Sequence, residues 1–195
     1  VSGSLHRAAL GGALSTRELL DISSVLNTAR RVKSYLPKED NRQKTCIDFL
    51  FSSINSNKGL EDSINNIILS EEEIADSASK ELADIRRKMR AASASAREAL
   101  SRIISSPSYK NALQDAIITT RSGRFVVPVK ADHRSEINGL VHDISSSGAT
   151  LFIEPMAAVK ANNELKELSV KESHEIEKIL YELSSRCAAC EPEIN

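Results

Sequence analysis

The sequence has few aromatic residues: they make up 4% of its 195 residues, and tryptophan is absent. A hydrophobic core must therefore be built from Leu, Ile, Val and Ala, a composition typical of packed helices rather than of β-sandwiches. Glycine and proline are also scarce, at seven and five residues. This excludes collagen-like repeats, and a 41% hydrophobic content excludes a disordered chain.

Long apolar runs and a surplus of charge are missing as well. No apolar run approaches the roughly 20 residues needed to span a bilayer, and no basic segment followed by an apolar one opens the chain. A net charge of −1 gives no overall attraction to nucleic acid or membranes, so such a claim must rest on local clusters. The three cysteines, Cys46, Cys187 and Cys190, are an odd number and fit a reducing compartment. We expect a soluble cytoplasmic protein without a membrane partner.

Motifs for phosphate chemistry are absent. No glycine is followed by Lys and then Ser or Thr, so there is no P-loop, and no Gly-x-Gly-x-x-Gly motif is present. We therefore expect no catalytic residue, cofactor or metal in this chain. Because it begins at Val1 without Met and ends within charged sequence, we expect a piece of a longer protein.

Helical patterns fill the first part of the chain. Ser15 and Glu18 have the spacing of a capping box, which predicts a helix that continues until Pro37. A second helical stretch is predicted from Cys46 to Ile54. Residues 60–76 are consistent with either a helix or a short hairpin.

Two longer helical patterns follow. The first starts at Ser79, a predicted N-cap, and its apolar positions alternate gaps of three and four as in a heptad seam. These positions are Leu82, Ile85, Met89, Ala92, Ala96, Ala99 and Ile103. A similar stripe returns at Leu165, Leu168, Ile176, Ile179, Leu183 and Cys187, interrupted at Glu172. We predict two long antiparallel helices joined by a compact insertion.

In the insertion the apolar period changes from 3.6 to 2, which predicts strands over 123–131, 138–143 and 149–153. The first strand places Phe125, Val127 and Val129 on one face and Arg124, Val126 and Lys130 on the other. Within it, Pro128 favours an edge strand or a bulge. Ser145 to Gly148 predicts a turn. The expected fold is mainly α with a small antiparallel β insertion, divided into 1–112, 113–157 and 158–195.

Cations cluster in the insertion. Arg121, Arg124, Lys130, His133 and Arg134 stand against Asp132 alone between positions 121 and 134. Lys and Arg at an exposed tip neutralise phosphates without reading bases. No aromatic platform for single strands is expected, because Phe125 and Phe152 are predicted to be core residues. The alternative is a soluble insertion that does not bind nucleic acid. The basic residues of the preceding helix are expected to form a solvated face.

Two other constellations have simpler explanations. His142, Asp143, the serines 145–147 and Glu154 include the residue types of a hydrolase. On a strand, however, His142 and Asp143 point to opposite faces, and the serines fit a turn. Cys187 and Cys190 have the spacing of half a zinc site or a redox pair, but no second pair accompanies them. We expect a structural or binding role for His142 and buried helix positions for the two cysteines.

The segment 121–168, RSGRFVVPVKADHRSEINGLVHDISSSGATLFIEPMAAVKANNELKEL, closely resembles MutS-II, the second bacterial branch of the MutS family. DSASKELADIRRKMR at 76–90 and LQDAIITTRSGR at 113–124 share this resemblance, with one departure at Lys80, where the family often has proline. The resemblance implies that the long helices are levers in the core and lever region of a MutS protein. It also implies that 113–157 is the clamp at the lever tip.

The same resemblance implies a parent that is a homodimeric, bacterial ATPase using ATP and Mg, usually ending in an Smr endonuclease domain. This branch is associated with branched DNA and suppression of recombination, and also with rescue of stalled or collided ribosomes. We therefore expect a clamp that binds branched or duplex DNA through Arg121, Arg124, Lys130, His133 and Arg134. The alternatives are binding to the ribosome and its rRNA, or a structural dimerisation module.

Overall fold

A computed structural model describes residues 1–35 and 48–194, so the predicted helix end at Pro37 and the position of Cys46 lie outside the described residues. The helices are α1 (Ser2–Ala9), α2 (Thr16–Lys33), α3 (Asp48–Ser53), α4 (Lys58–Ile67), α5 (Lys80–Ile104), α6 (Met156–Ala189) and α7 (Glu191–Ile194). The strands are β1 (Thr119–Arg121), β2 (Arg124–Lys130), β3 (Gly139–Ile144) and β4 (Thr150–Pro155). The prediction of a mainly helical protein with a small antiparallel sheet is confirmed. In the described ranges no helix is apolar over the length that a bilayer crossing requires.

The chain divides into two compact units. Val1–Ala83 and His174–Asn195 form the first, and Asp84–Ser173 form the second. This division falls inside α5 and α6, whereas the boundaries predicted at 112/113 and 157/158 follow the change from helical to strand periodicity. The sheet and all the cations of the predicted nucleic-acid site lie in the second unit.

The first unit has an aliphatic core. Its buried side chains include Leu5, Leu14, Leu19, Ile22, Leu26, Leu60, Ile64 and Leu183. The capping box is confirmed: Ser15 Oγ accepts a hydrogen bond from the Glu18 N–H at 3.3 Å, and the Ser15 N–H donates to Glu18 Oε2 at 3.0 Å. In the ambiguous stretch 60–76, α4 ends at Ile67 and Ile68 then bridges to Ile74. Both a helix and a hairpin-like turn are therefore present.

Glu61 is a buried acid of the first unit, at 4% exposure. Its carboxylate accepts hydrogen bonds from Arg30 Nε and Nη2 at 2.9 Å and from Asn27 Nδ2 at 2.7 Å. These bonds, that of Arg30 first, lower the pKa of Glu61 from 4.5 to about 2. Because the pKa is lowered in the folded state, Glu61 contributes stability that is fully present above pH 4.5 and is lost as the pH falls through about 2.

We therefore expect Glu61→Gln to lower the free energy of unfolding at pH 7 and to remove part of the loss of stability on acidification. Urea denaturation at neutral pH and at about pH 3 measures both effects. The exposed neighbour Asp62 provides the matched control, since Asp62→Asn removes the same charge without breaking the Arg30 pair. An acid dependence that is the same in wild type and Glu61→Gln would show this account to be wrong.

In the second unit, α5 and α6 run antiparallel. Arg86 Nε, near the start of α5, donates to Glu172 Oε1 at 2.7 Å, while Leu100 near its end packs in one cluster with Ala158. The pair explains why the apolar stripe of α6 is interrupted at Glu172. The predicted seam of α5 is buried at Ile85, Ala92 and Ala96, but further along Leu100 is buried in place of Ala99. A straight helix drifts from a seven-residue repeat because it has 3.6 rather than 3.5 residues per turn.

The four strands form an antiparallel sheet in the order β1-β2-β4-β3. One face, here called the inner face, packs Val127, Val129 and Ile153 against Leu100 and Ala158 of the helices. The opposite face, called the outer face, carries the side chains that alternate with these. By register and alternation they are Thr119, Arg121, Arg124, Val126, Pro128, Lys130, Leu140, Asp143, Thr150, Phe152 and Glu154. The predicted assignment of Arg124, Val126 and Lys130 to one face is confirmed.

The expectation that Pro128 marks an edge strand or a bulge is wrong. β2 has neighbours on both sides, and the irregularity of the sheet lies in β3 between Val141 and Asp143. Proline has no main-chain N–H to donate, and it is tolerated at position 128 because β1 pairs only with residues 124–126. Beyond β1, the Pro128 carbonyl accepts a hydrogen bond from the Gln114 N–H at 3.0 Å.

Candidate nucleic-acid interface

Arg121 lies across the outer face of the sheet. Its guanidinium carbon is 3.9 Å from the centroid of the Phe152 ring, and its Nη1 donates to the Thr120 carbonyl at 2.9 Å. Its Nε lies 3.1 Å from Asp143 Oδ2, with the two side chains 36% and 50% exposed. Exposed ion pairs of this kind contribute about 0–1 kcal/mol to stability. Another anion can therefore replace Asp143 at little cost.

Arg124 is held in a buried network instead. Its Nη1 donates to Glu154 Oε1 at 2.7 Å and its Nη2 to Asn163 Oδ1 at 2.6 Å. The Glu154 carboxylate is fully buried and also accepts hydrogen bonds from Asn162 Nδ2 and His142 Nε2. Arg124 therefore neutralises a charge that water does not reach.

The ionisation of Glu154 depends on this network. Burial alone raises the pKa of the carboxyl, but the hydrogen bonds from Asn162, His142 and Arg124 together outweigh burial and hold the pKa below its ordinary value of 4.5. Glu154 is thus a carboxylate at neutral pH. Because one of its partners is the Arg124 guanidinium, that cation is committed to the fold.

Asn162 also holds the end of β2. Its Nδ2 donates to the Phe125 carbonyl at 3.0 Å, and its Oδ1 accepts from the Phe125 N–H at 3.2 Å. In the β2–β4 ladder the pairs run from Val127↔Ile153 to Lys130↔Thr150, so Phe125 lies outside that register. On the β4 side of Phe125 the side-chain amide takes the place of the strand, while on the other side Phe125 pairs with Thr120 of β1. α6 is thereby tied to the sheet beside the buried carboxylate.

The remaining predicted cations also have partners within the protein. Lys130 Nζ donates to the Asn111 carbonyl at 3.0 Å, and His133 Nδ1 lies 2.6 Å from Glu136 Oε1. Arg134 donates to two main-chain carbonyls, that of Ile137 at 3.0 Å and that of Gly139 at 2.8 Å. Its guanidinium therefore fixes the approach to β3.

Three of the five predicted site residues share the outer face: Arg121, Arg124 and Lys130. His133 and Arg134 lie instead on the short helical segment Ala131–Glu136 that connects β2 to β3. The contact of these five residues with nucleic acid stays a prediction. What differs among them is the strength of the intramolecular contact that each would have to give up.

Two sequence-based expectations need correction at this site. Phe152 is not part of the inner core, because its register opposite Pro128 puts it on the outer face beneath Arg121. His142 and Asp143 do not point to opposite faces, since the bulge between Val141 and Asp143 inserts one residue and turns both toward the outer face. There His142 contacts Glu154 and Asp143 contacts Arg121.

Sequence reasoning did not find the buried network or the carboxylate beside Arg121. Glu154 lies two residues from Phe152 and shares its face, and nothing in the local sequence marks this carboxyl as buried; its burial results from contacts with Arg124, His142 and Asn162. A weak signal exists in the pair Asn162–Asn163 one to two turns into a helix, where amides are not favoured by propensity.

Charge is distributed unequally between the units. The second unit, 84–173, contains 14 Lys and Arg against 10 Asp and Glu, although the whole chain has a net charge of −1. On α5, Arg87 and Lys88 pair with Asp84 of the same helix, and Arg97 lies 4.6 Å over the Phe125 ring. The excess of positive charge therefore belongs to the unit that contains the sheet and not to the chain as a whole.

The other two constellations have no site geometry. No hydrogen bond in the part of the chain that the structure describes joins His142 to a serine; its partner is Glu154. Cys187 is buried, which raises the pKa of its thiol to about 11, and Cys190 Sγ accepts a hydrogen bond from Asn57 Nδ2 at 3.3 Å. Among residues 1–35 and 48–194, no group of three or more His, Cys, Asp or Glu is placed to hold a metal.

Fold and site together define a helical module with a four-stranded insertion whose outer face carries cations. No family model matches the chain. It is 48% identical over 193 residues, 98% of its length, to the "Endonuclease MutS2" of Ruminiclostridium cellulolyticum, and covers 24% of that protein. It is 48% identical over 189 residues to the protein of that name from Agathobacter rectalis, with 96% of this chain and 24% of the relative covered.

A third relative, also named "Endonuclease MutS2", comes from Clostridioides difficile and is 47% identical over 187 residues, with 95% of this chain and 24% of the relative covered. The chain therefore spans about a quarter of the length of the curated relatives that it matches. The similarity extends over nearly the whole chain and supports the resemblance to MutS-II.

Proposed function

We propose that this chain is a nucleic-acid-binding module of a MutS-II-type ATPase that acts on branched DNA. In this proposal 79–112 and 158–190 are levers, and 113–157 is the clamp that they close. ATP and Mg binding, the nuclease activity for which the relatives are named, and assembly into a homodimer belong to the longer parent protein. The observation that carries the proposal is that two cations of the outer face, Arg121 and Lys130, have intramolecular partners that a phosphate can replace.

The five cations of the clamp divide into two roles. Arg121 and Lys130 contact phosphates directly, because each gives up only a single exposed or neutral partner to do so. His133 lies beside them on the connecting segment Ala131–Glu136, where it is paired with Glu136. Arg124 and Arg134 keep the sheet in shape, since leaving Glu154 or the two backbone carbonyls would leave buried polar groups without partners.

Binding is expected to tolerate any sequence. The aromatic ring on the outer face, Phe152, is covered by the Arg121 guanidinium and offers no open surface for stacking a base. A cation that neutralises phosphate carries no sequence information by itself. The module therefore recognises the density and arrangement of phosphates, as branched DNA presents them.

The variants Arg121→Ala and Lys130→Ala test this proposal. Each is expected to weaken binding to a four-way DNA junction by about tenfold, because a hydrogen bond to a charged group is lost. Fluorescence anisotropy with the labelled junction measures the dissociation constant. Lys166→Ala on α6 is the control, since it removes the same charge from an exposed residue of the same unit. Equal weakening by all three variants would reduce the effect to net charge and contradict a defined contact surface.

Ribosome binding is the second candidate, and the same observation favours it: cations that bind phosphate without reading bases fit rRNA as well as DNA. Competition tests whether the two ligands bind the same surface. Junction DNA should displace the chain from purified ribosomes if both use Arg121 and Lys130. Co-sedimentation with ribosomes that survives replacement of both residues would instead indicate docking on protein.

A further inference from the structure

We infer that Arg121, Phe152 and Asp143 form a phosphodiester-binding site in which Asp143 occupies the position of the incoming phosphate and thereby sets the affinity. The inference rests on the proposed function for the identity of the ligand. It assigns a role in setting affinity to Asp143, an acidic residue that lies among the cations of the outer face.

The guanidinium of Arg121 is held in place without Asp143. The Phe152 ring supports one face of its plane at 3.9 Å, and the Thr120 carbonyl accepts from Nη1 at 2.9 Å. Stacking on an aromatic ring and a main-chain hydrogen bond restrict its side-chain torsions. The cation therefore stays positioned when its carboxylate partner leaves, as a preformed anion site requires.

The contacts of Asp143 allow its carboxylate to leave Arg121 at little cost. Its Oδ2 faces Arg121 Nε at 3.1 Å, whereas its Oδ1 accepts from the main-chain N–H of Ile144 at 2.9 Å. After losing Arg121 the side chain keeps this second partner and remains half-exposed to water. Exchange of carboxylate for phosphate thus replaces one charge-assisted hydrogen bond with another and leaves no buried group unpaired.

The neighbouring pair shows the contrast. Arg124 and Glu154 are also an arginine and a carboxylate on the outer face, but the Glu154 side chain is fully buried and has three partners. A phosphate that bound Arg124 would leave the buried Glu154 carboxylate without its cation. Of the two arginine–carboxylate pairs on this face, the exposed one is the exchangeable one.

A carboxylate at the ligand position lowers affinity in two ways. It competes for Arg121, and its charge repels the phosphate as it approaches. The site then binds phosphate weakly on its own and more firmly when neighbouring contacts, such as that of Lys130, bind the same backbone. Asp143 would in this way restrict stable binding to substrates that occupy several contacts together.

The test compares Asp143→Asn with Asp132→Asn, which removes the same charge from an exposed position of the same cation cluster. Anisotropy with the four-way junction should show about fivefold tighter binding for Asp143→Asn and a smaller gain, under about twofold, for Asp132→Asn, because that effect is only long-range. In an Arg121→Ala background the gain from Asp143→Asn should fall to under about twofold, the effect of its charge alone. Equal gains from Asp143→Asn and Asp132→Asn, or a fully retained gain from Asp143→Asn without Arg121, would overturn the inference.

A second readout separates this inference from the proposed function. The side-chain Nε–H signal of Arg121 can be followed by NMR during titration with inorganic phosphate. We expect it to move at lower phosphate concentration in Asp143→Asn than in wild type, whether or not the chain binds DNA. A junction that binds while the two titrations coincide would leave the proposed function standing and refute the role of Asp143. Titrations that differ without any junction binding would support the role of Asp143 and refute the proposed function.

Discussion

Gly139→Ala is expected to destabilise the second unit by about 3 kcal/mol or more, although it adds only a methyl group and removes no functional group. A Cβ at this position would lie 2.2 Å from the Glu154 carbonyl oxygen and 2.8 Å from both the Glu154 carbonyl carbon and Ile153 Cγ2. Two of these atoms belong to the main chain of β4, so the strands themselves would have to separate. Gly139 pairs with Pro155 in that ladder, and its carbonyl accepts from Arg134.

Urea denaturation measures this loss, and Gly3→Ala is the matched control. Apart from its chain neighbours and the backbone of its own helix, no atom lies within 4 Å of a Cβ added at Gly3 in α1. Alanine is also the better helix former by about 1 kcal/mol. The control should therefore be as stable as wild type or slightly more so. If Gly139→Ala unfolds at the same urea concentration as Gly3→Ala, the close approach of β3 to β4 described here is wrong.

Arg124→Met is expected to lower the free energy of unfolding by about 3 kcal/mol, because it leaves the buried Glu154 carboxylate without its cation. Arg121→Met, the same substitution three residues away on the same face, should cost about 0–1 kcal/mol, since its partner is half-exposed. The two arginines thus provide a matched pair for urea denaturation at neutral pH.

The pH dependence gives a further check on the same pair. The pKa of Glu154 is lowered in the folded wild type, so its contribution is present above pH 4.5 and is lost as the pH falls through the folded-state value. In Arg124→Met the penalty should shrink below about pH 4.5, where a protonated Glu154 no longer needs a cation. Equal losses of stability from the Arg124 and Arg121 variants at neutral pH would contradict the division into structural and exchangeable cations.

These expectations separate two kinds of loss of binding. Arg124→Met and Gly139→Ala would weaken DNA binding by disturbing the sheet, so both stability and affinity should fall. Arg121→Ala and Lys130→Ala should change affinity and leave the unfolding transition nearly unchanged. A scan of all five cations for binding alone would merge these two groups, whereas stability measurements keep them apart.

Periodicity explains how much of the fold could be predicted. Heptad spacing identified α5 and α6, and strict alternation placed Arg124 and Lys130 opposite Val127. Both rules act between residues close in sequence. The capping box of Ser15 and Glu18 was found for the same reason.

What could not be predicted depends on contacts between distant residues. The three-residue strand β1 has no detectable period, and the bulge at Val141–Asp143 shifts the alternation that the sequence rule assumes. Glu154 is buried only because Arg124, His142 and Asn162 arrive from three other elements. Spacing therefore located the cations, but it did not show the partners that distinguish the buried pair of Arg124 from the exposed pair of Arg121.

The salt dependence of binding tests the central claim most directly. The logarithm of the association constant for a four-way junction should fall linearly with the logarithm of salt concentration, with a slope of about −2 or steeper if Arg121 and Lys130 each neutralise a phosphate. Removing either residue should make the slope shallower by about 0.9. Binding that does not respond to salt, or a slope that is the same in wild type and in Arg121→Ala/Lys130→Ala, would contradict the assignment of the outer face as a phosphate-binding surface.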